Sequence, residues 1–134
     1  SPFDDVYQEL DLNMKTEYAA VIRSVYQLAK SFGARAILLL SMSGHTARLI
    51  SHFRPETEIL VATNSKKTWY ALALVWGIQP FNFEGDADHD GYIDRMMKEA
   101  KAAGKLAAGD ETAVFLGRTA DRRTLDLVGI RRVR

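Results

Sequence analysis

The chain has 134 residues, of which 47% are hydrophobic, and a formal net charge of +1. These values indicate one globular domain with a substantial core, and a nearly neutral chain gives no reason to expect nucleic acid or a membrane surface as a partner. The sequence has no cysteine, which excludes disulfides and thiolate metal sites and favours a reducing, cytoplasmic location. No apolar run approaches the ~20 residues of a membrane span.

The first half of the chain alternates between helix-like and strand-like patterns. Residues 1–15 are predicted to be an acidic lead-in segment, and residues 16–134 to be the domain itself. Apolar residues follow helical spacing from Thr16, and Gly33 is a typical helix stop. The continuously apolar run Ala36–Leu40 is typical of a strand that is covered on both faces. A short helix over 46–53 and a second buried strand over 59–63 follow.

The second half continues the alternation. A third helix is predicted to carry Trp69 and Trp76 on one apolar stripe and to stop at Gly77, so we expect both tryptophans in the core or in a subunit interface. Pro80 interrupts the next strand and favours an edge position for it. The remaining predicted elements are a helix around 92–100, a strand over 112–116 and a strand over 125–133.

This order of elements predicts an α/β fold. Strands that alternate with helices form a mostly parallel sheet with helices on both faces. Only residues 117–124 separate the last two strands, which is too short for a parallel crossover. The final strand is therefore predicted to be antiparallel to its neighbour.

The motif SMSGHT, residues 41–46, directly follows the first buried strand and precedes a helix. Backbone N–H groups at a helix start attract anions, and the hydroxyls of Ser41, Ser43 and Thr46 would add hydrogen bonds. Gly44 would let the backbone approach a phosphate closely. His45 would be mostly neutral near pH 7 and could gain charge beside a phosphate. The alternative is an ordinary helix cap, since the motif has neither Walker nor GxGxxG spacing.

Basic residues are concentrated after Gly117, where six arginines stand against two aspartates. Arg118, Arg122 and Arg123, followed by Thr124, fall in the predicted turn before the last strand. A basic segment on an otherwise acidic body suits a local anion site better than a DNA-binding face. The alternative is a solvated edge strand that carries protective charges.

Two further patterns point to weaker possibilities. Asp86, Asp88 and Asp90 match the start of an EF-hand loop, which makes them a weak calcium candidate, but Met97 stands where the bidentate glutamate belongs. The alternative is an acidic cap on the fourth helix. No serine lies in a G-x-S-x-G elbow, so nothing identifies a nucleophile for an independent enzyme.

Several linked motifs between Leu28 and Pro80 resemble the C-terminal domain of pyruvate kinases. The matching pieces, in order, are GARAI (33–37), SGHTAR (43–48), IS (50–51), RP (54–55), VAT (61–63) and LVWG (74–77). The resemblance implies a three-layer α/β/α sandwich with a five-stranded sheet of order 3-2-1-4-5 and an antiparallel last strand. Segments 41–46 and 117–124 would then meet at the switch point between the first and fourth strands, where such sheets bind ligands.

The resemblance also implies a regulatory role. In pyruvate kinases this domain binds a phosphorylated effector, a sugar phosphate or a nucleotide, and contributes to a homo-oligomer. The catalytic residues and the Mg²⁺ and K⁺ sites belong to a barrel domain outside these 134 residues, so we expect this chain alone to be inert and to need no cofactor. His45 and the segment GRTADRRT, which lacks the family's Thr-Asn ending, favour a monophosphate over fructose 1,6-bisphosphate.

Three hypotheses follow for the whole protein. The first is the regulatory and assembly domain of a pyruvate kinase, and the start at Ser1 rather than Met favours a piece of a longer chain. The second is a free-standing protein of the same fold that binds a small phosphorylated ligand. The third is an independent enzyme that uses the same cleft. A fourth possibility, that the domain binds no effector, also stays open.

Overall fold

The computed structural model describes residues 16–41, 44–52, 56–84, 89–116 and 127–134. Within these residues, four helices alternate with strands, and a fifth strand ends the chain. In chain order the elements are α1 (Thr16–Ser31), β1 (Ala36–Leu40), α2 (His45–His52), β2 (Glu58–Thr63), α3 (Lys66–Ala73), β3 (Ile78–Asn82), α4 (His89–Ala102), β4 (Glu111–Leu116) and β5 (Leu127–Arg132). The lead-in segment 1–15 lies outside the described residues, so its boundary stays a prediction.

The described strands form one sheet in the order β3-β2-β1-β4-β5. The first four strands are mutually parallel, and β5 is antiparallel to β4. The predicted fold class and strand order are therefore confirmed. The edge position of β3, predicted from Pro80, is confirmed as well. Proline has no backbone N–H to donate to a second neighbouring strand, and an edge strand has only one neighbour.

The sheet is the middle of three layers, since helices cover both of its faces and bury β1 from both sides. Ile37 and Leu39 belong to a cluster formed with α1, α2 and α3, whereas Leu38 and Leu60 pack with α4 on the other face. The five residues of β1 are all buried and apolar, which fits a central strand of a covered parallel sheet. Each fully buried aliphatic side chain here contributes on the order of 1.5–3 kcal/mol.

Parallel strands give the sheet two different ends. We call the end where β1 to β4 finish the carboxyl end, and the end where they begin the amino end. The turns after β1 and β4 therefore share the carboxyl end, and the turns before β1, β2 and β3 share the amino end.

The prediction for Trp76 is wrong as far as the core is concerned. The helix ends at Ala73 rather than continuing, and Trp76 is 77% exposed. The reason is the turn that follows the helix: the N–H of Val75 donates to Leu72, and Gly77 takes a φ of +82° to lead the chain into β3. Trp69 is partly buried, and its indole N–H donates to the carbonyl of Pro80 at 3.2 Å.

Candidate functional site

The candidate site is defined by the adjacent carboxyl ends of β1 and β4. The parallel register pairs Leu39 with Phe115, so the segments that leave these strands start side by side. Leu116 and Leu127, which bracket residues 117–126, are paired with each other at the same end. The chain passes from β1 to β2 on one side, while β4 lies on the other, so this is the switch point of the sheet.

A serine and a glycine shape the turn from β1 into α2. Ser41 is buried, and its N–H donates to the carbonyl of Ala62 at 3.0 Å. Its Oγ accepts a 2.9 Å hydrogen bond from the N–H of Gly44. The carbonyl of Gly44 accepts from the N–H of Arg48 at 3.0 Å, so Gly44 is the capping residue of α2. Because the first N–H groups of a helix have no acceptor within the helix, this turn aims the positive end of α2 at the carboxyl end of the sheet.

Position 44 requires glycine for reasons of conformation and packing. Gly44 has a φ of +82°, which other residues adopt at a cost. A Cβ built there would lie 3.2 Å from Cγ2 of Thr68 and 3.3 Å from Cδ2 of Leu72, both on α3. The close approach expected of this glycine is thus made to a neighbouring helix, and the glycine is explained without a ligand.

The predicted anion-binding residues fall into two groups. Ser41 and Gly44 lie at the carboxyl end as expected, and the backbones of His45 and Thr46 form the first turn of α2. The other predicted residues, which are Ser43, Gly117, Arg118, Arg122, Arg123 and Thr124, lie outside the described residues. Their participation in a site stays a prediction.

Sequence reasoning found Ser41 but missed Thr63 and Asn82, two further polar residues along the carboxyl end. Ser41 follows β1, Thr63 ends β2 and Asn82 ends β3, so the apolar strands finish in polar side chains. Oγ1 of Thr63 accepts from the N–H of Ser65 at 3.2 Å. Oδ1 of Asn82 is buried and has no hydrogen-bond partner among the described residues. The available signal was a polar residue at or just after the end of β1, β2 and β3.

The basic C-terminal segment is divided between the two ends of the sheet. Because β5 runs antiparallel to β4, Arg131 and Arg132 pair with the start of β4 at the amino end. Nη1 of Arg131 lies 3.4 Å from Oδ1 of Asp94, and Nη2 of Arg132 lies 2.8 Å from Oε1 of Glu111. These arginines are therefore in ion pairs far from the carboxyl end, and the segment is not one continuous anion-binding surface.

Neither a metal centre nor a membrane-spanning helix is found in the part of the chain that the structure describes. No group of three carboxylate or imidazole side chains in it could hold a metal ion. Asp86 and Asp88 lie outside the described residues, and Asp90 falls in the first turn of α4. No described helix has the length and apolar composition that crossing a bilayer needs.

The fold and the switch point define a class of protein: α/β sandwiches in which ligands bind beyond the carboxyl ends of parallel strands. A comparison with protein families identifies the particular one. The family model for the pyruvate kinase alpha/beta domain matches residues 19–130, and the chain belongs to this family. The resemblance seen in the sequence motifs is thereby confirmed.

Individual relatives agree with the family match. The chain is 32% identical over 108 residues to a pyruvate kinase of Staphylococcus epidermidis, covering 80% of this chain and 18% of that protein. It is 31% identical over 98 residues to a pyruvate kinase of Lactobacillus delbrueckii subsp. bulgaricus, covering 73% of this chain and 17% of that protein. The chain thus spans less than a fifth of the length of these relatives.

A solved structure supports the fold. The structure of Cryptosporidium parvum pyruvate kinase in complex with ADP superposes with a TM-score of 0.79 at 21% identity. The match covers 98% of this chain and 27% of that one. At this identity the match establishes the architecture, and the ligand of that structure says nothing of this chain.

Proposed function

We propose that the chain is the regulatory and assembly domain of a pyruvate kinase, extending over residues 16–134, and that it binds a phosphorylated effector at the carboxyl end of the sheet between β1 and β4. The parent enzyme would transfer phosphate from phosphoenolpyruvate to ADP in glycolysis, as a cytoplasmic homo-oligomer. Its Mg²⁺ and K⁺ would be held by residues outside this chain.

The observation that carries the proposal is the pairing of β1 with β4 at the switch point. The register of Leu39 with Phe115 and of Leu116 with Leu127 makes segments 41–46 and 117–126 neighbours at their anchored ends. One segment leads into the positive end of α2, and the other contains Arg118, Arg122 and Arg123. Helix dipoles and guanidinium groups favour the same ligand chemistry, a phosphate group.

The effector that fits this set best is a monophosphate. Ser41 already uses its Oγ to accept from Gly44, so it can donate its own proton to one phosphate oxygen while that turn stays intact. His45 and the segment GRTADRRT, which lacks the family's Thr-Asn ending, favour one phosphate group over two. A sugar monophosphate or a nucleoside monophosphate meets these requirements.

The second candidate is a free-standing protein that binds a phosphorylated small molecule without kinase activity. The fold and the switch point between β1 and β4 support it equally, because neither depends on a second domain. The reading frame around the coding region separates the two: a barrel domain encoded in the same frame supports the first candidate, and its absence supports the second.

Calorimetric titration tests effector binding on the chain itself. Ribose 5-phosphate, glucose 6-phosphate, AMP and fructose 1,6-bisphosphate would be titrated into wild type, Arg118→Ala and Arg134→Ala. The last is a matched control, because Arg134 belongs to the same basic segment but follows β5 at the amino end. We expect a monophosphate to bind wild type and the control equally, and Arg118→Ala at least tenfold more weakly.

The contrary result is equally clear. If no ligand gives heat with wild type, or if both arginine variants weaken binding to the same extent, the carboxyl-end site is wrong. Gly44→Val is unsuitable for this purpose, because a Cβ at that position meets Thr68 and Leu72 whether or not a ligand binds.

A further inference from the structure

The edge strand β3 carries none of the charged side chains that usually protect an exposed sheet edge. Its five residues are Ile-Gln-Pro-Phe-Asn, and all of them are uncharged. An unpaired edge offers a row of backbone N–H and C=O groups, and an uncharged, partly apolar edge is the kind that pairs with a strand of another chain. What a second strand would meet at this edge depends on the backbone groups that point away from β2.

The backbone groups of alternate residues in β3 point away from β2. The carbonyl of Gly77 accepts from the N–H of Ile59 at 3.1 Å. At the other end of the strand, the N–H of Phe83 donates to the carbonyl of Thr63 at 3.0 Å. Because successive residues of a strand turn their N–H and C=O groups to opposite sides, the odd-numbered residues pair with β2. The outer edge is consequently formed by the even-numbered residues, which are Ile78, Pro80 and Asn82.

The first two outward positions are already occupied. The N–H of Ile78 donates to the carbonyl of Val75 at 3.3 Å, within the turn that precedes the strand. Pro80 has no N–H, and its carbonyl accepts a 3.2 Å hydrogen bond from the indole Nε1 of Trp69 on α3. An added strand would therefore find no available donor at either position, and at position 80 it would meet a carbonyl that already has a partner.

Trp69 is held in this position by its own surroundings. Helix α3 packs against β3, and the backbone N–H of Trp69 donates to the carbonyl of Ser65 at 2.9 Å. Oγ of Ser65 caps the same helix start by accepting from the N–H of Thr68 at 3.2 Å. The ring of Tyr70 meets the ring of Trp69 edge to face at 5.0 Å. The indole thus reaches the outer edge of β3 from a capped helix start.

Position 80 matters most for pairing between two copies of the chain. Identical strands associate most simply as an antiparallel pair about a two-fold axis, because the same surface then serves both copies. On the outer edge of β3, such an axis places Pro80 opposite Pro80 and Ile78 opposite Asn82. The central pair would have to exchange two N–H···O=C bonds, and two prolines provide no N–H for either of them. The indole of Trp69 from each copy stands where the missing donors would be.

We propose that Trp69 and Pro80 together close the β3 edge to strand addition by a second copy of this chain. Pro80 removes the outward donor, and Trp69 occupies the outward acceptor from the neighbouring helix. The inference is independent of a ligand at the carboxyl end, because it rests on the backbone contacts of β3 alone. A homo-oligomer of the chain would accordingly be built without pairing of β3 with β3.

Reopening the edge tests the proposal. The double variant Trp69→Phe/Pro80→Ala keeps an aromatic ring on α3, removes the indole donor and restores an outward N–H at position 80. Ser65→Ala is the matched control, because it removes the cap of the same helix and leaves the contact between Trp69 and Pro80 in place. Sedimentation equilibrium would measure the self-association of each chain, and amide hydrogen exchange followed by NMR would report on position 80.

We expect the association constant of the double variant to exceed that of wild type at least tenfold, and that of Ser65→Ala to equal wild type. The N–H at position 80 should exchange at least tenfold more slowly in the associated double variant than in the dilute chain, because pairing with a second copy covers it. A measurement on wild type needs no substitution: the indole N–H of Trp69 should exchange at least tenfold more slowly than that of Trp76, which is 77% exposed.

Three results would overturn the proposal. They are an unchanged association constant of the double variant, an increase of the same size in Ser65→Ala, and association that leaves the exchange at position 80 unchanged. The second result would attribute the association to loosening of α3, and the third would attribute it to another surface. If the double variant does not fold, the wild-type comparison decides: equal indole exchange at positions 69 and 76 would show that the indole does not hold the carbonyl of Pro80.

Discussion

Replacing Gly44 with alanine should destabilise the fold more than the same change at any exposed glycine of similar conformation. At a φ of +82°, a residue with a Cβ costs about 1–2 kcal/mol. The added methyl group would also stand 3.2 Å from Cγ2 of Thr68 and 3.3 Å from Cδ2 of Leu72. Crowding of this kind in a packed region costs about 1–3 kcal/mol more. We therefore expect a loss of about 2–5 kcal/mol in the free energy of unfolding.

Gly77 provides a matched control for the conformational part of this cost. It has the same φ of +82°, but a Cβ built there meets no atom within 4 Å. Gly77→Ala should therefore cost only about 1–2 kcal/mol. The difference between the two variants isolates the contact with α3, because the gain from a stiffer unfolded chain is common to both.

The assay is urea unfolding of the 134-residue chain, with Thr68→Ser completing a double-mutant cycle. Serine removes Cγ2, the nearest atom to the new methyl group, and keeps the hydroxyl. We expect Gly44→Ala to be less costly in the Thr68→Ser background, with a coupling free energy of at least about 0.5 kcal/mol. The reasoning fails if Gly44→Ala and Gly77→Ala cost the same, or if the cycle shows no coupling.

Two further stability measurements follow from the structure. Ser65 caps α3, because its Oγ accepts a 3.2 Å hydrogen bond from the N–H of Thr68, so Ser65→Ala should lower the free energy of unfolding by about 1 kcal/mol. The control Ser24→Ala, in the exposed interior of α1, should change it by no more than about 0.5 kcal/mol. Equal costs in urea unfolding would refute the cap. Leu38→Ala, at a fully buried position of β1, should cost about 2–5 kcal/mol, and Glu58→Gln under about 1 kcal/mol, because the Glu58–Lys105 pair is about two-fifths exposed. An ion-pair variant as costly as the core variant would contradict this ranking.

The fold could be predicted because its signals are local and repeated. The run Ala36–Leu40 is apolar at every position, which is typical of a strand covered on both faces, and the observed strand has the same bounds. The short connection after β4 fixed the antiparallel sense of β5 without reference to any other residue. Trp76 was misplaced because its helical spacing continues past Ala73, while the backbone turn that ends the helix there has a weaker sequence signal.

The candidate site was less predictable because its residues acquire their roles from distant neighbours. Gly44 looked like a phosphate-binding glycine by its position before a helix, yet its Cβ position faces Thr68 and Leu72 on an element more than twenty residues later. The arginines after Gly117 looked like one group in the sequence, but the reversal into β5 sends Arg131 and Arg132 to the opposite end of the sheet. The amino-acid sequence alone does not reveal either role, because the role of each residue depends on which distant residues the fold places beside it.

Helix α3 connects the two ends of the sheet and explains why the turn at Gly44 is constrained so tightly. Thr68 in its first turn and Leu72 in its last turn both face the Gly44 turn, and the helix ends at Ala73, just before the turn that leads into β3. A Cβ at position 44 therefore requires these two side chains to give by a few tenths of an ångström, because the nearest atoms are Cγ2 of Thr68 and Cδ2 of Leu72. We therefore expect a related sequence with alanine at position 44 to carry a smaller residue at position 68 or 72, which leaves room for the added methyl group.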